Sequence, residues 1–554
     1  MKISTKILVI VLFFLWVLPG TVGRDPWKAD EPYGLGIVNQ IVRTGDWVVP
    51  AVADVPFLEK PPLYYLGAAA FVSVLSPPLA PHDAARLVNV FWMLVVLITL
   101  GLATREIAGE RPAWTAPVFL LGCVILVIPA HKLITDMGLL AGFSLAIYGL
   151  AISRRNPGWG GLWTGTGIGI GFLTKGLLAP GSLGIIAAVL PLLYPSWRTR
   201  TYVKALMIAF AAALPWLVIW PVALYLRSPV HFIEWFWFQN LGRYLGYAYI
   251  GESHSPANFI LNLSWVAWPV LPLAAWSLWR SRAEWRSHPV WQLPLAAFLV
   301  LLAVLSIAAA KRPLYTLPLL LPLCIMAAAA ADAVPQRIRS LIHGAGVALF
   351  GLLGLALWTG WLLHVNGSTL FTRYLPALTV HYPPVDARLL FGATVCTLGW
   401  ILLLFPVPRE DVPLLFSWTA GIALVCGLVM TLWLPWLEAE SSFRDAFSPI
   451  RTRMPDRFAC VASLDLGESE RALLEYYADI RANPLETTPA VPCDLLLIGR
   501  GSEKIEPAAG SGWKVLWEGV RPRDRAKEHY TLYQHTAPHA PAAPAITREM
   551  VRQN

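Results

Sequence analysis

Long apolar runs separated by short, basic loops set the character of the chain. Runs of workable length for a membrane-crossing helix, about twenty residues, fall near 6–22, 86–104, 113–130, 137–153, 159–174, 176–194, 203–225, 258–279, 290–309, 313–332, 340–364, 386–406 and 412–435. The pattern predicts an all-α polytopic membrane protein with about thirteen transmembrane helices. One apolar run, Leu63 to Leu75, is too short to cross and is closed by Pro77, Pro78 and Pro81, so it reads as an interfacial helix. The first run, Ile7 to Leu18, lacks a clear Ala-x-Ala cleavage site and reads as a retained helix rather than a signal peptide.

The basic residues test this count. With thirteen spans, Lys2 and Lys6, Arg105 and Arg111, Arg154 and Arg155, Arg198 to Lys204, Arg280 to Arg286, and Arg337 to Arg339 share one side, which the positive-inside rule makes cytoplasmic. If Leu63 to Leu75 crossed as well, the N-terminal lysines would lie opposite every later basic cluster. The other face then receives residues 23–85, 131–136, the turn at Lys175, 226–257, Lys311 with Arg312, 365–385, and everything after about 436. Asp30, Glu31, Glu59, Lys60, His131, Lys132, Asp136, Lys175, Arg243, His254 and Lys311 lie there, charges and histidines that topology does not require. Loops distant in sequence can build one site on a rigid helical frame, so these residues are expected to converge in an outward-facing cavity.

Composition agrees with the pattern. Apolar residues fill 56% of 554 positions and charged ones only 14%, against about 25% charged in soluble domains. The 26 Trp and 17 Tyr suit many membrane interfaces, where amphipathic rings settle at headgroup depth. The net charge of +9 is spread over short loops, where it carries topology and argues against nucleic acid as a partner. No Walker pattern or dinucleotide fingerprint is present, so no nucleotide cofactor is expected. The run from Gly165 to Gly171 lies inside a span and reads as helix packing.

The last part of the chain is different material. Arg457 to Leu464, Glu468 to Ile480 and the segment from Cys493 read as strand, helix, strand, the order of a small α/β domain. The expected organisation is a transmembrane domain over 1–436, with outer loops 23–85 and 226–257, an extracytoplasmic α/β domain over 437–534, and a disordered Ala- and Pro-rich tail over 535–554. Outside the cytoplasm Cys460 and Cys493 are able to form a disulfide, although sequence gives no proof of pairing. Cys123, Cys324, Cys396 and Cys426 read as small buried apolar residues.

Three positions carry more than loop solubility. Lys175 sits at a tight turn between two spans, where the alternatives are an anion partner and a lysine snorkelling from a helix end. Lys311 and Arg312 open a span from the outside, against the positive-inside trend, which favours a phosphate partner. Asp136 begins a span after Thr135, and there a helix cap and a functional acid are equally good readings. In the first loop, Asp30 is the candidate base for a hydroxyl nucleophile, whose own pKa lies far above neutrality. Lys60, Arg243, Lys175 and Lys311 are the candidates to stabilise a departing phosphate.

Asp30-Glu31, then Gly45-Asp46-Trp47, then Phe57-Leu58-Glu59-Lys60-Pro61-Pro62-Leu63-Tyr64-Tyr65 resemble the first outer loop of bacterial GT-C glycosyltransferases that use polyprenyl-phosphate sugars. The family includes the aminoarabinose transferases that modify lipid A and enzymes similar to protein O-mannosyltransferases. Ala84-Ala85-Arg86-Leu87, Thr135-Asp136-Met137, Phe172 to Gly176, and Lys311 to Pro318 are similar to that family in its order, so the resemblance covers about residues 1–335. It implies an inverting transfer from a polyprenyl (undecaprenyl) phosphate donor to a lipid A or other lipid or glycan acceptor at the periplasmic face of the bacterial inner membrane. It implies Asp30 as the essential first-loop acid, with Glu31 beside it, and Asp136 as a second acid at the start of a later helix. It likewise implies Lys60 and Arg86 near the donor phosphate, and Glu59 with His254 as a zinc-like metal pair. One Glu and one His fall short of the three protein ligands of a catalytic zinc site. The family carries Arg then Tyr where this chain has Tyr33 and Gly34, which leaves one donor-phosphate contact either missing or replaced, with Arg243 the candidate for the replacement.

A lipid-linked sugar transporter or flippase is the alternative, holding phosphate with the same cations without cutting it. Such a protein is expected to carry charges near the bilayer midplane and often two similar halves. Here the charges gather at one face and no internal repeat is visible.

Overall fold

The computed structural model describes residues 3–247, 256–309, 312–368, 385–404, 412–486, 493–500, 512–520 and 528–536. The chain divides into two compact units. One comprises Met1–Gly23, Leu58–Phe71 and Arg86–Trp433; the other comprises Arg24–Phe57, Val72–Ala85 and Leu434–Asn554.

The first unit is helical and belongs to a membrane. Among the described residues five helices are long and apolar enough to cross: Pro81–Ala108, Arg200–Arg227, Pro289–Ile307, Gln336–Val365 and Ala387–Leu404. Counting Glu110–Leu121 with Val124–His131, and Phe416–Leu432 with Leu434–Ser441, as one broken span each raises the number to seven. Of the other predicted runs, Asp136–Ile152 and Leu178–Leu193 are helices too short for that test, while the glycine-rich Pro157–Lys175, at 19 residues, is long enough but is not among the apolar spans. Local chemistry sets where helices end. Gly176, at φ 83°, ends Pro157–Lys175, and Pro269 divides the run predicted over 258–279 into Pro256–Val266 and Val270–Arg280. The stretch from 226, read as a loop from sequence, is helical: Pro229–Ile233, a π-helix over Glu234–Gly242, and Arg243–Leu245.

Asp136–Ile152 is buried on nearly every side, as expected of a helix apolar all round. Small residues let its neighbours approach. A Cβ on Gly142 would lie 2.6 Å from the Gly167 carbonyl oxygen, so Asp136–Ile152 and Pro157–Lys175 touch backbone to backbone. On the other face of Pro157–Lys175, Gly161, Gly165 and Gly169 recur every four residues and meet Ala205, Ala209 and Trp216 of Arg200–Arg227. The glycine run is a packing device on both faces of one helix.

The second unit carries an antiparallel hairpin, β1 (Ala51–Val52) and β2 (Val55–Pro56), and a five-stranded sheet. The sheet strands are β3 (Val461–Leu464), β4 (Ala482–Pro484), β5 (Leu495–Arg500), β6 (Trp513–Val520) and β7 (His529–His535), in the order β4-β3-β5-β7-β6. β3 is parallel to β4 and β5, while β7 runs antiparallel to β5 and β6. The helix Glu468–Ala478 makes the crossover from β3 to β4, and its apolar face joins a core with Phe443, Phe447, Leu495, Leu497 and Leu532. Cys460 and Cys493 form a disulfide beside β3 and β5. Part of the first loop is a fifteen-residue helix, Asp30–Thr44, which packs on Glu468–Ala478 where Gly36 meets Ala472. The tail beyond 536 lies outside the described residues.

Candidate active site

In the helical unit one cluster forms around Glu59, which lies in the segment leading into the helix Leu63–Leu75. Arg243 Nη1 donates to Glu59 Oε1 at 2.7 Å, and Lys60 Nζ lies 3.6 Å from the same oxygen. Burial pushes the Glu59 carboxyl up, but Lys60, Arg243 and Arg312 outweigh it and hold the group at about 2. Glu59 is therefore a fixed anion that aligns two cations. The Nε of Arg243 is buried without a hydrogen-bond partner, a spare donor in a polar site.

The π-helix Glu234–Gly242 delivers Arg243 to this place. Such widened turns recur at functional sites because they re-aim side chains. Asn240, on that turn, donates to the Trp235 carbonyl at 2.8 Å and accepts from the Leu177 N–H at 3.2 Å. It thereby ties the Arg243 segment to the turn after Lys175. Gly176 suits that turn because its φ is positive and because a Cβ there would collide with the Asn240 side chain.

Lys175 pairs with Asp136, and its Nζ sits 4.9 Å from the Tyr315 ring centroid. Asp136 is the first residue of its helix, after the cap residue Thr135, and its carboxylate is the partner of Lys175. Arg312, which helps hold Glu59 ionised, directly precedes the turn Pro313–Thr316 that carries Tyr315. The unit thus places four cations (Lys60, Lys175, Arg243, Arg312) around two carboxylates (Glu59, Asp136). Among these described residues, cations outnumber carboxylates by two, which suits an anionic ligand such as phosphate.

Asp30 and Glu31 belong to the other unit. Asp30 opens the helix Asp30–Thr44, is half-buried, and accepts from the Tyr33 hydroxyl at 3.0 Å. The Tyr33 ring stacks on Phe57 at 4.9 Å, which fixes that hydroxyl. Glu31 is enclosed. Both its oxygens take Arg24, at 2.7 and 3.0 Å, and one also accepts from the Trp27 N–H at 3.1 Å. Its side chain is 2% exposed and is held by Arg24.

Arg86 is fully buried in the helical unit, not open to a ligand, and His131 is held between the Val127 and Trp16 carbonyls. Lys311 and His254 lie outside the described residues. The metal reading does not fit Glu59: its carboxylate is taken up by Arg243 and Lys60, a cationic surrounding opposed to a divalent ion. Among the described residues no group of three or more His, Cys, Asp or Glu is arranged to hold one.

Sequence reading missed Asp25. It is buried, accepts from Ser442 Oγ at 2.6 Å and pairs with Arg444, while its N–H donates to Glu438 at 2.5 Å. Partners more than four hundred residues away leave no local signal.

No protein-family model matches the chain. It is 26% identical over 495 residues to the undecaprenyl phosphate-alpha-4-amino-4-deoxy-L-arabinose arabinosyl transferase of Serratia proteamaculans, covering 86% of this chain and 82% of that one. The enzyme of the same name from Aeromonas hydrophila is 26% identical over 477 residues, 81% of this chain and 78% of its own. Among solved structures, ArnT from Cupriavidus metallidurans bound to undecaprenyl phosphate superposes with a TM-score of 0.67 at 17% identity, over 96% of this chain and 98% of that one. Its apo form gives 0.66. By sequence over most of its length the chain is similar to the undecaprenyl-phosphate aminoarabinose transferases, and its fold is the GT-C membrane fold.

Proposed function

We propose that this protein is an inverting glycosyltransferase of the bacterial inner membrane. It moves a sugar from an undecaprenyl-phosphate carrier to lipid A or another envelope lipid or glycan at the periplasmic face. The observation that carries this reading is the surplus of cations around Glu59 and Asp136, outside the long apolar spans, in a chain similar to undecaprenyl-phosphate sugar transferases. The gathering of basic residues in one set of loops, read from the sequence, supports the periplasmic side for these residues and for the C-terminal unit.

In the reaction the acceptor hydroxyl attacks the anomeric carbon, and the new glycosidic bond forms as the bond to the phosphate oxygen breaks. The hydroxyl proton passes to a carboxylate, for which Asp30 is proposed, with Tyr33 orienting it. The departing undecaprenyl phosphate gathers negative charge, which Lys60 and the free Nε of Arg243 stabilise, with Lys175 and Lys311 as further cations. Asp136 keeps Lys175 charged and in place, and Glu31 holds the Asp30 helix start through Arg24. The clustering of charge beside the spans, with no internal repeat visible in the sequence, favours a transferase over a flippase.

The deciding experiment follows labelled sugar from a mixed pool of polyprenyl-phosphate sugars into envelope extract, with wild type beside Asp30→Asn. Label moved by wild type and lost in the variant, with donor binding retained in both, supports the reading. Donor bound by both with transfer by neither favours the flippase, and equal transfer by both removes Asp30 from the mechanism.

A further inference from the structure

The second unit contains a cavity of about 380 Å³ that none of the proposed transfer chemistry uses. Its apolar wall comes from the β1–β2 hairpin, through Val52, Val55 and Phe57, with Leu466 from the segment after β3. Arg471 lines it from the second turn of the helix Glu468–Ala478 and is only 7% exposed. Among the described residues no ion pair or side-chain hydrogen bond holds its guanidinium, and its Nε is buried without a partner.

The nearest acids are engaged elsewhere or turned to solvent. Glu470 pairs with Lys28, Glu486 accepts from the Asp465 N–H at 2.8 Å, and Glu468 is exposed. Burial pushes the Arg471 guanidinium below its ordinary value, opposed by Glu468, Glu486 and Glu470 at a distance. A buried Nε–H without an acceptor is costly, because it has given up water for nothing. Beside it the helix begins at Gly467 without a side-chain cap, so first-turn N–H groups also lack a capping acceptor.

We infer that this cavity is a binding subsite for a sugar bearing one anionic group, a carboxylate or a phosphate monoester, which Arg471 receives while Asp465, Glu468 and Glu486 accept hydrogen bonds from its hydroxyls. The volume suits one or two sugar rings, at the small end of ligand pockets of about 300–1,000 Å³. The acids set the limit on charge. The three carboxylates on the lining oppose any anion, but they are exposed and screened by water, so one anionic group seated on the buried Arg471 still gains a charge-assisted contact, whereas a polyanion does not. Neutral sugars leave the guanidinium unpaired and bind weakly. The subsite stands independently of the transferase reading, since none of its residues is assigned to transfer.

The test is calorimetric titration of the full-length protein in detergent with methyl glucuronide, glucose 1-phosphate and methyl glucoside. At least one anionic sugar is expected to bind at least tenfold more tightly than methyl glucoside, and the stronger of the two identifies carboxylate or phosphate. Arg471→Gln should lose that preference. Glu468→Gln, at an exposed position, should tighten the anionic ligand two- to fivefold, and it decides the matter if Arg471→Gln does not fold. Equal binding of all three sugars, no binding by wild type, a preference retained in Arg471→Gln, or no tightening in Glu468→Gln overturns the proposal.

Discussion

At the scale of single residues, Glu59 shows how neighbours decide what a carboxylate does. Its folded value of about 2 lies below its ordinary 4.5. The stability it contributes is therefore fully present above about pH 4.5 and is lost as pH falls through about 2. Melting temperatures of wild type and Glu59→Gln should differ by a constant amount from pH 8 to 5 and converge below about 4.5. Glu59→Gln should also free Arg243 and Lys60 from their shared anchor and weaken donor binding. Arg243→Ala removes the spare phosphate donor along with the pair, and transfer should fall by about 10²–10³, the loss expected for one stabilising donor. Glu31 behaves differently. Its Arg24 pair is 1–2% exposed, and breaking it by Glu31→Ala leaves a buried charge at a cost of about 3–5 kcal/mol. A lower melting temperature with activity surviving in the folded fraction would separate this positioning role from chemistry.

At the scale of elements, the glycines of Pro157–Lys175 are as demanding as any charged residue. Gly165 meets the Ala209 carbonyl and Gly167 faces the Gly142 carbonyl, on opposite sides of one helix. Gly165→Leu should separate Pro157–Lys175 from Arg200–Arg227 and cost at least the 1–3 kcal/mol typical of overpacking, about that range per site. Thermal melting in detergent reads it, while Gly181→Ala, where a Cβ meets open space, serves as the control. The π-helix Glu234–Gly242 had no signature in the sequence, because widening by one residue depends on what the turn packs against. Its consequence is the delivery of Arg243 to Glu59 across 184 residues of chain.

At the scale of the molecule, the disulfide Cys460–Cys493 closes a separation of 33 residues. Loop-closure entropy assigns it about 3–4 kcal/mol. Cys460→Ala with Cys493→Ala should melt the C-terminal sheet earlier, with little change in the helical content of the spans, as followed by circular dichroism. Retention of the melting profile would show that the sheet's core of Phe443, Phe447, Leu495 and Leu532 suffices alone.

Hydrophobic period and charge placement determined by themselves that this is a polytopic helical membrane protein with a small α/β segment at its end. Those features rest on local burial preference, which each stretch of chain carries with it. The positions of Asp30, Glu59, Lys60, Asp136, Lys175 and Arg243 as candidates for chemistry were legible too, since charges in apolar sequence are costly and stand out. Which charges meet was decided only by tertiary structure. Asp136 with Lys175, Arg243 with Glu59, and Asp25 with Arg444 join residues 39, 184 and 419 positions apart. Pairing of that kind depends on helix ends and turns brought together by packing. The same packing enclosed Glu31 with Arg24 and left the Arg471 Nε without a partner, because enclosure is a property of the fold and not of any segment.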